Sequence, residues 1–203
     1  MAITVAVVDD HPVVREGICA MLAHDATIEV LWMATSLKEA RDALQRETPD
    51  VVVLDVMLGA GENGLDLISE LRRHTPSPAV IVLSAVLSQS VLRRCQEEGV
   101  AGYLTKDTGD LDLTAAVHMV AAGGRVWGPQ AAALMERSRS IGLTPSEERV
   151  VLLASEGMSN LEIARSLGTT EGAVKRHVSS AMGKLGVQNR VTLVLRLKQL
   201  GMV

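Results

Sequence analysis

Residue Asp55 closes an almost wholly apolar run, VVVLD (51–55). A buried strand that ends in a carboxylate sets a charged, nucleophilic group at the mouth of a sheet. Three other runs end in groups able to converge on it. The first, ITVAVV, is followed by the acidic pair Asp9-Asp10; AVIVLS ends in the hydroxyl of Ser84; VAGYLTK ends in the amine of Lys106. Carboxylates, an alcohol and an amine on four strand ends make a magnesium-dependent phosphate site. Magnesium takes a few hard oxygens plus waters, which suits Asp10 and Asp55, with Asp9 nearby. A phosphoryl group on a carboxylate brings roughly −1.5 to −2 charges, and a divalent ion offsets them. Lys106 would pair with one phosphoryl oxygen and Ser84 would donate to another. Taken singly, a strand-end Asp reads as a helix N-cap and a Lys as a solvated charge. The joint placement is what points to chemistry.

The elements that must position these groups are legible as a repeating pattern. Strand-like runs recur at 3–8, 28–34, 51–55, 79–84 and 100–104, with helical patterns between them. Pro12 opens the first helix at an N1-like position. Ser36-Leu37-Lys38-Glu39 is a capping box for the second. Asn63 caps the third, which ends before Thr75-Pro76; the fourth covers 88–98 and stops at Gly99; Asp110 opens the fifth, which stops at Gly123-Gly124. Five strands alternating with five helices predict a doubly wound, five-stranded parallel α/β sheet. In such sheets ligands bind beyond the carboxyl ends of the strands, where all the residues above fall.

The rest of the chain differs in charge and pattern. Residues 1–140 carry 12 Lys/Arg against 19 Asp/Glu, whereas residues 141–203 carry 8 against 5. An acidic first part and a basic tail suggest two domains, the tail being the candidate for a polyanion partner. Turn-rich GGRVWGP (123–129) and a short helical pattern, QAAALMERSR (130–139), separate them. Capping boxes at Thr144-Pro145-Ser146-Glu147 and Ser159-Asn160-Leu161-Glu162, and glycines at 157, 168 and 186, divide the tail into four short helices. In the helix over 170–185, Val174, Val178, Ala181, Met182 and Leu185 share one face; Gly172, Lys175, Arg176 and Ser179 share the other. The preceding helix, 160–167, is expected to bury Leu161, Ile163, Ala164 and Leu167. This is a helix-turn-helix whose second helix can enter a major groove while its flanks hold phosphates; an ordinary helical hairpin with a solvated face fits the same pattern. The last helix, 190–200, has Leu193, Leu197 and Leu200 on one side and Val191, Val194 and Leu195 on another, so a homodimer is expected.

With 47% hydrophobic residues, cores can form, and with Trp32, Tyr103 and Trp127 as the sole aromatics they are aliphatic. No run of about 18 apolar residues exists, so no membrane span is expected. MAITVAVV runs straight into Asp9-Asp10, unlike a signal peptide. Cys19 and Cys95 read as reduced packing residues of a cytoplasmic protein.

On the residues Asp9-Asp10, Asp55, Ser84 and Lys106, and on the opening VAVVDDHPVVREGI, residues 2–122 resemble the receiver domain of two-component response regulators of the NarL/FixJ type. The resemblance implies a flavodoxin-like (βα)5 receiver in which Asp55 accepts phosphate from a histidine kinase. It implies Asp10 as a direct Mg2+ ligand, Asp9 as an outer one, and the Met57 backbone carbonyl as a third oxygen. It pairs Ser84 with Tyr103 as a switch and gives Lys106 to the phosphoryl group. After a linker at 123–139, residues 140–203 are similar to a LuxR-type DNA-binding domain through LTPSEERVVLLASEGMSNLEIARSLGTTEGAVKRHVSSAMGKLGVQNR (143–190). That similarity implies Lys175 and Arg176 near bases, with Thr170, His177 and Lys184 around the backbone or as supports; Ser179, on the same face as Lys175 and Arg176, is expected to bind DNA with them. Arg176 could read guanine bidentately or touch phosphate, and His177 could equally be a packing residue. The implied partners are a cognate kinase, double-stranded promoter DNA, a second copy of the chain and RNA polymerase, for a transcriptional regulator rather than an enzyme.

One stretch departs from the receiver pattern, which has proline four and glycine eight residues after the acceptor. Here Gly59 replaces the proline and Gly64 comes nine on, so the loop MLGAGEN is one residue longer and is expected to be more flexible. The same loop matches G-x-G-x-x-G, but a dinucleotide site needs its first glycine at the strand's end and an acid about 20 residues on; Asp55 occupies that end and would repel a pyrophosphate. Two rival readings are a phosphate-independent dimerisation or ligand-sensing receiver, against which the intact acid set argues and for which the altered loop argues faintly, and a metal-dependent phosphohydrolase. Met57 disfavours the latter, since Asp-nucleophile hydrolases resemble D-x-D.

Overall fold

The computed structural model describes residues 2–85, 87–106, 112–140 and 142–203, with backbone alone at 60 and 137–140. The strands are β1 (Ile3–Val8), β2 (Ile28–Ala34), β3 (Val51–Asp55), β4 (Met57–Leu58), β5 (Glu62–Asn63), β6 (Ala79–Ser84), β7 (Gly102–Thr105) and β8 (Val126–Trp127). The helices are α1 (Pro12–Leu22), α2 (Leu37–Leu44), α3 (Ile68–Leu71), α4 (Gln89–Glu97), α5 (Leu113–Ala121), α6 (Pro129–Ser140), α7 (Pro145–Ser155), α8 (Asn160–Ser166), α9 (Glu171–Leu185) and α10 (Arg190–Gln199). The chain divides into two units, one of residues 1–87 and 94–131, the other of 88–93 and 132–203.

In the first unit, one sheet runs β2-β1-β3-β6-β7-β8, every pair parallel. β3 lies in its interior and is buried along its whole length, as a strand covered on both faces must be. Side chains alternate across the sheet. Val5, Val7, Val51, Val53, Ile81 and Leu83 form one core with Ile18 and Leu22 of α1 and Leu113, Val117 and Val120 of α5. The alternate set, Ala6, Val8, Val52, Leu54, Val80 and Val82, is equally buried.

Several elements differ from the sequence expectation. Val126 and Trp127, within the stretch read as a hinge, pair with Gly102 and Tyr103 and give the sheet a sixth strand. Two residues carry no readable periodicity, which is why the five-strand count falls short. The fifth run begins its pairing at Gly102 rather than 100, because the Val100 N–H is used to close α4 on Cys95 O. Asp112, with its Oδ1 accepting the Ala115 N–H at 2.8 Å, caps α5; Asp110 lies outside the described residues. At α2 the Ser36 hydroxyl accepts the Glu39 N–H, but the Glu39 carboxylate reaches past the cap to Thr35 N and Oγ1.

In the second unit both expected capping boxes form, at Thr144–Glu147 and Ser159–Glu162. Gly157, Gly168 and Gly186 take the left-handed φ values that end α7, α8 and α9. α9 feeds two cores. Ala181 and Leu185 pack with Val151, Leu152, Leu193 and Leu197, and Val174 packs with Val150, Ala154, Ile163 and Ala164. Leu161 is exposed rather than buried, because residues two apart on a helix do not share a face and Ile163 already points inward.

Candidate functional site

The carboxyl ends of β1, β3, β6 and β7 meet at one edge of the sheet. Asp55 and Asp9 are almost completely buried there, as is Ser84. Lys106, held by its own N–H on Ser84 O, extends its ammonium between the two acids, 2.7 Å from Asp9 Oδ2 and 2.6 Å from Asp55 Oδ2. Burial alone would pull the Lys106 pKa down, but the hydrogen bonds and charges of Asp55 and Asp9 outweigh it and the pKa is raised. The ammonium therefore stays charged and compensates two carboxylates that burial would otherwise disfavour.

The acids also offer a cation what it needs. Ligand atoms of Asp9, Asp10, His11 and Asp55 all lie within 4.8 Å of one another. Asp10 Oδ1 is shielded from solvent and accepts no well-formed hydrogen bond, although the His11 ring lies 2.9 Å away. A buried carboxylate oxygen without a proper donor, beside two more carboxylates, is a donor set for a hard divalent ion. His11 was not singled out from the sequence; its adjacency to Asp9-Asp10 was the available signal.

Tyr103 is fully buried, and its hydroxyl is pushed up in pKa by that burial against the opposing effect of its hydrogen bond with Ser84. The two residues expected as a switch pair are thus joined directly. Met57 places its N–H on Asp55 Oδ1 at 3.2 Å while its side chain is exposed.

The glycine-rich loop is built, not slack. β4 and β5 pair antiparallel, Met57 with Asn63 and Leu58 with Glu62, around a 3-10 turn at Gly59–Gly61. Its backbone runs close to the acids: a Cβ on Gly59 would lie 3.3 Å from Asp10 Oδ2, and one on Gly64 would lie 1.9 Å from the Asp55 carbonyl oxygen. Glu62 Oε2 accepts the Leu37 N–H at 3.0 Å, tying the hairpin to the start of α2. Gly64, nine residues after Asp55, packs directly on the end of β3.

In the second unit, α9 exposes Lys175, Arg176 and Ser179, and Thr170 is its N-cap, accepting the Ala173 N–H. His177, half-buried, turns toward α7 and lines a cavity there. Lys184 is engaged within the domain, its ammonium 2.6 Å from Glu147 Oε2 and 3.1 Å from Gly142 O. Glu147 also accepts Ser180 Oγ at 2.6 Å and the Thr144 N–H at 2.7 Å, and these bonds, that of Lys184 first, lower its pKa to about 2. Arg190 donates to Ala154 O and Met158 O at the end of α7. Both ends of α7 are therefore held by α9 and α10, a brace that sequence spacing does not reveal. On α10, Leu193 and Leu197 are buried, Val194 is half-buried, and Val191 and Leu195 are 71% and 55% exposed.

A parallel sheet with this acid–lysine constellation, followed by a helix-turn-helix unit, defines a signal-receiving regulator. Residues 5–118 match the response regulator receiver domain family, and residues 142–197 match the bacterial regulatory proteins of the luxR family. The chain belongs to the response regulators of the NarL/FixJ type. It is 35% identical to the DNA-binding transcriptional activator DevR/DosR of Mycobacterium tuberculosis, over 93% of this chain and 90% of that protein. It is 31% identical to the response regulator protein VraR of Staphylococcus epidermidis, over 96% of each. Among solved structures it resembles RcsB from Salmonella enterica serovar Typhimurium bound to promoter DNA in the presence of the phosphomimetic BeF3−, with TM-score 0.66, 26% identity and coverage of 97% and 98%. No helix among the described residues is long and apolar enough to cross a membrane.

Proposed function

We propose that Asp55 is the phosphoacceptor of this regulator and that its phosphorylation by a histidine kinase favours a DNA-binding homodimer. The observation that carries the reading is the Lys106 ammonium lodged between the Asp9 and Asp55 carboxylates on adjoining strand ends. Mg2+ would be held by Asp10 and Asp55, with Asp9 as an outer ligand and the Met57 carbonyl as a further oxygen, and it would neutralise the charge gathering on the transferring phosphoryl group. An Asp55 carboxylate oxygen attacks the phosphorus of the kinase's phosphohistidine; the O–P bond forms as the P–N bond breaks, and the imidazole leaves with the electron pair. Lys106 follows the new charge, and Ser84 turns its hydroxyl toward the phosphoryl group. Its bond to Tyr103 couples that movement to a buried aromatic. The output is a population shift between receiver conformations, not a new fold. Receivers of this kind catalyse their own phosphoryl transfer and hydrolysis without being turnover enzymes.

The receiver is assigned to residues 2–122, extended by the β8 pairing, the linker to 123–139, and the DNA-binding domain to 140–203. Lys175, Arg176 and Ser179 would meet the groove, Thr170 would flank it, and Lys184 acts as a support through Glu147. Val191, Val194 and Leu195 form the dimer face, a cytoplasmic location follows from the DNA target, and RNA polymerase is the further partner of a promoter-bound dimer. Incubation with Mg2+ and a small phosphodonor, followed by mass spectrometry and duplex binding, tests the reading. Wild type should gain one phosphoryl mass and bind DNA more tightly; Asp55→Asn should do neither. Equal phosphorylation of Asp55→Asn removes the acceptor assignment. Unchanged DNA affinity in folded Lys175→Ala/Arg176→Ala removes the recognition-helix assignment.

A further inference from the structure

Beside the exposed face of α9 lies a cavity of about 120 Å³, lined by Ser146 and Arg149 of α7, Thr169 of the α8–α9 turn and His177 of α9, with Val150 and Leu167 as its apolar wall. Two hydroxyls, an imidazole and a guanidinium face it, and neither Glu147 nor Glu148 is among its lining residues. The Glu147 carboxylate is occupied by Lys184 and Ser180. The lining therefore offers donors and positive charge, the complement of an oxyanion rather than of a cation. A guanidinium has five donors, so Arg149 can serve an anion while keeping other partners.

Position identifies the source of the anion. Thr169 immediately precedes Thr170, the N-cap of α9, and His177 is one residue round the helix from exposed Arg176. The cavity thus flanks the surface that would enter the groove, where a duplex carries its phosphates. We propose that this cavity seats one backbone phosphate of the bound duplex. Arg149 provides the charge, Ser146, Thr169 and His177 the remaining hydrogen bonds, and Val150 with Leu167 shields one side from water. The proposal rests on α9 being the recognition helix.

The test uses the full chain, a duplex selected by the wild-type chain from a randomised pool, and a duplex of unrelated sequence, each titrated across a salt series. Arg149→Gln should weaken binding to both duplexes by the same factor and reduce the slope of log K against log salt by about 0.9, the value for one lost phosphate contact. Ser146→Glu is the second variant. It lies in the first turn of α7, where an acid suits the helix dipole, so it keeps the fold while putting negative charge in the cavity. It should weaken binding at least as much. An unchanged slope in both variants, with Lys175→Ala/Arg176→Ala still weakening binding, overturns the cavity and spares the recognition helix. Wild type that selects no duplex overturns both. The His177 imidazole resonances separate the sources: shifts on adding duplex, lost in Arg149→Gln, support the proposal, whereas shifts with inorganic phosphate and none with duplex overturn the DNA assignment.

Discussion

Replacement of Gly64 by alanine should damage Asp55 without touching its side chain. The backbone of Gly64 is close-packed on the end of β3, its N–H donating to Val56 O at 2.9 Å. A Cβ there would sit 1.9 Å from the Asp55 carbonyl oxygen, 3.1 Å from its carbonyl carbon and 3.2 Å from Leu54 Cδ1. Real Cβ contacts essentially never fall below 3.0 Å, so about 1.1 Å of relief is required. The obstructing atom is backbone on a buried central strand, and no rotamer change can provide that relief. Either the β4–β5 hairpin lifts off the acids or the end of β3 moves with Asp55. Overpacking of this kind costs about 1–3 kcal/mol, a Tm fall on the order of 5–10 °C for a domain of this size. A displacement of roughly 1 Å at the reacting group lowers rate by about 100-fold. Scanning calorimetry and the phosphorylation rate with a small phosphodonor read the two effects. Gly61→Ala is the control: Gly61 has φ +78° but nothing within 4 Å of a Cβ, so it should lose about 1–2 kcal/mol and keep its phosphorylation rate within a few-fold. If Gly64→Ala is phosphorylated as fast as Gly61→Ala, the steric argument is wrong.

Three further outcomes are expected. The Glu147 carboxyl, lowered from 4.5 to about 2 by Lys184, Ser180 and Thr144, contributes stability that is present above about pH 4.5 and lost as pH falls toward 2; NMR of the C-terminal resonances should show that loss in wild type and a reduced acid dependence in Glu147→Gln. Asp112→Ala, which removes the α5 N-cap, should cost about 1 kcal/mol in denaturant titration, and a cost near zero would place the cap elsewhere. Leu195→Asp, at an exposed apolar site on α10, should leave the monomer's melting temperature unchanged and abolish the phosphorylation-dependent dimer in sedimentation, where a persistent dimer would move the interface off α10.

The residues of the proposed phosphate site were readable because each sits at the end of an apolar run, and a parallel sheet sends all such ends to one edge. Four of the five expected strands stand where the pattern put them, and the caps at Ser36, Thr144 and Ser159 hold their helices, whereas Asn63 accepts the Leu65 N–H and starts a 3-10 turn at Gly64–Leu67 ahead of α3. Local chemistry decides such features: a hydroxyl three residues ahead of a free N–H needs no tertiary help. Spacing also showed that α10 has two apolar sides, of which one packs on the domain; the fold chose Leu193 and Leu197 and left Val191 and Leu195 exposed.

Tertiary structure alone decided the rest. Val126-Trp127 is a strand only because β7 offers an open edge, and two residues cannot announce that. The loop after Asp55 read as slack because glycine permits many conformations; pairing across β4 and β5, the Glu62 bond to α2 and the Asp55 carbonyl beneath Gly64 select one of them. For Lys184 the resemblance left open a place at the DNA backbone or a supporting role, and only the fold shows its partner, Glu147, 37 positions earlier. Composition and periodicity determine which face a residue occupies, since they act within one element. Which partner it meets depends on where other elements bring their own charges, and that distance in sequence carries no local signal.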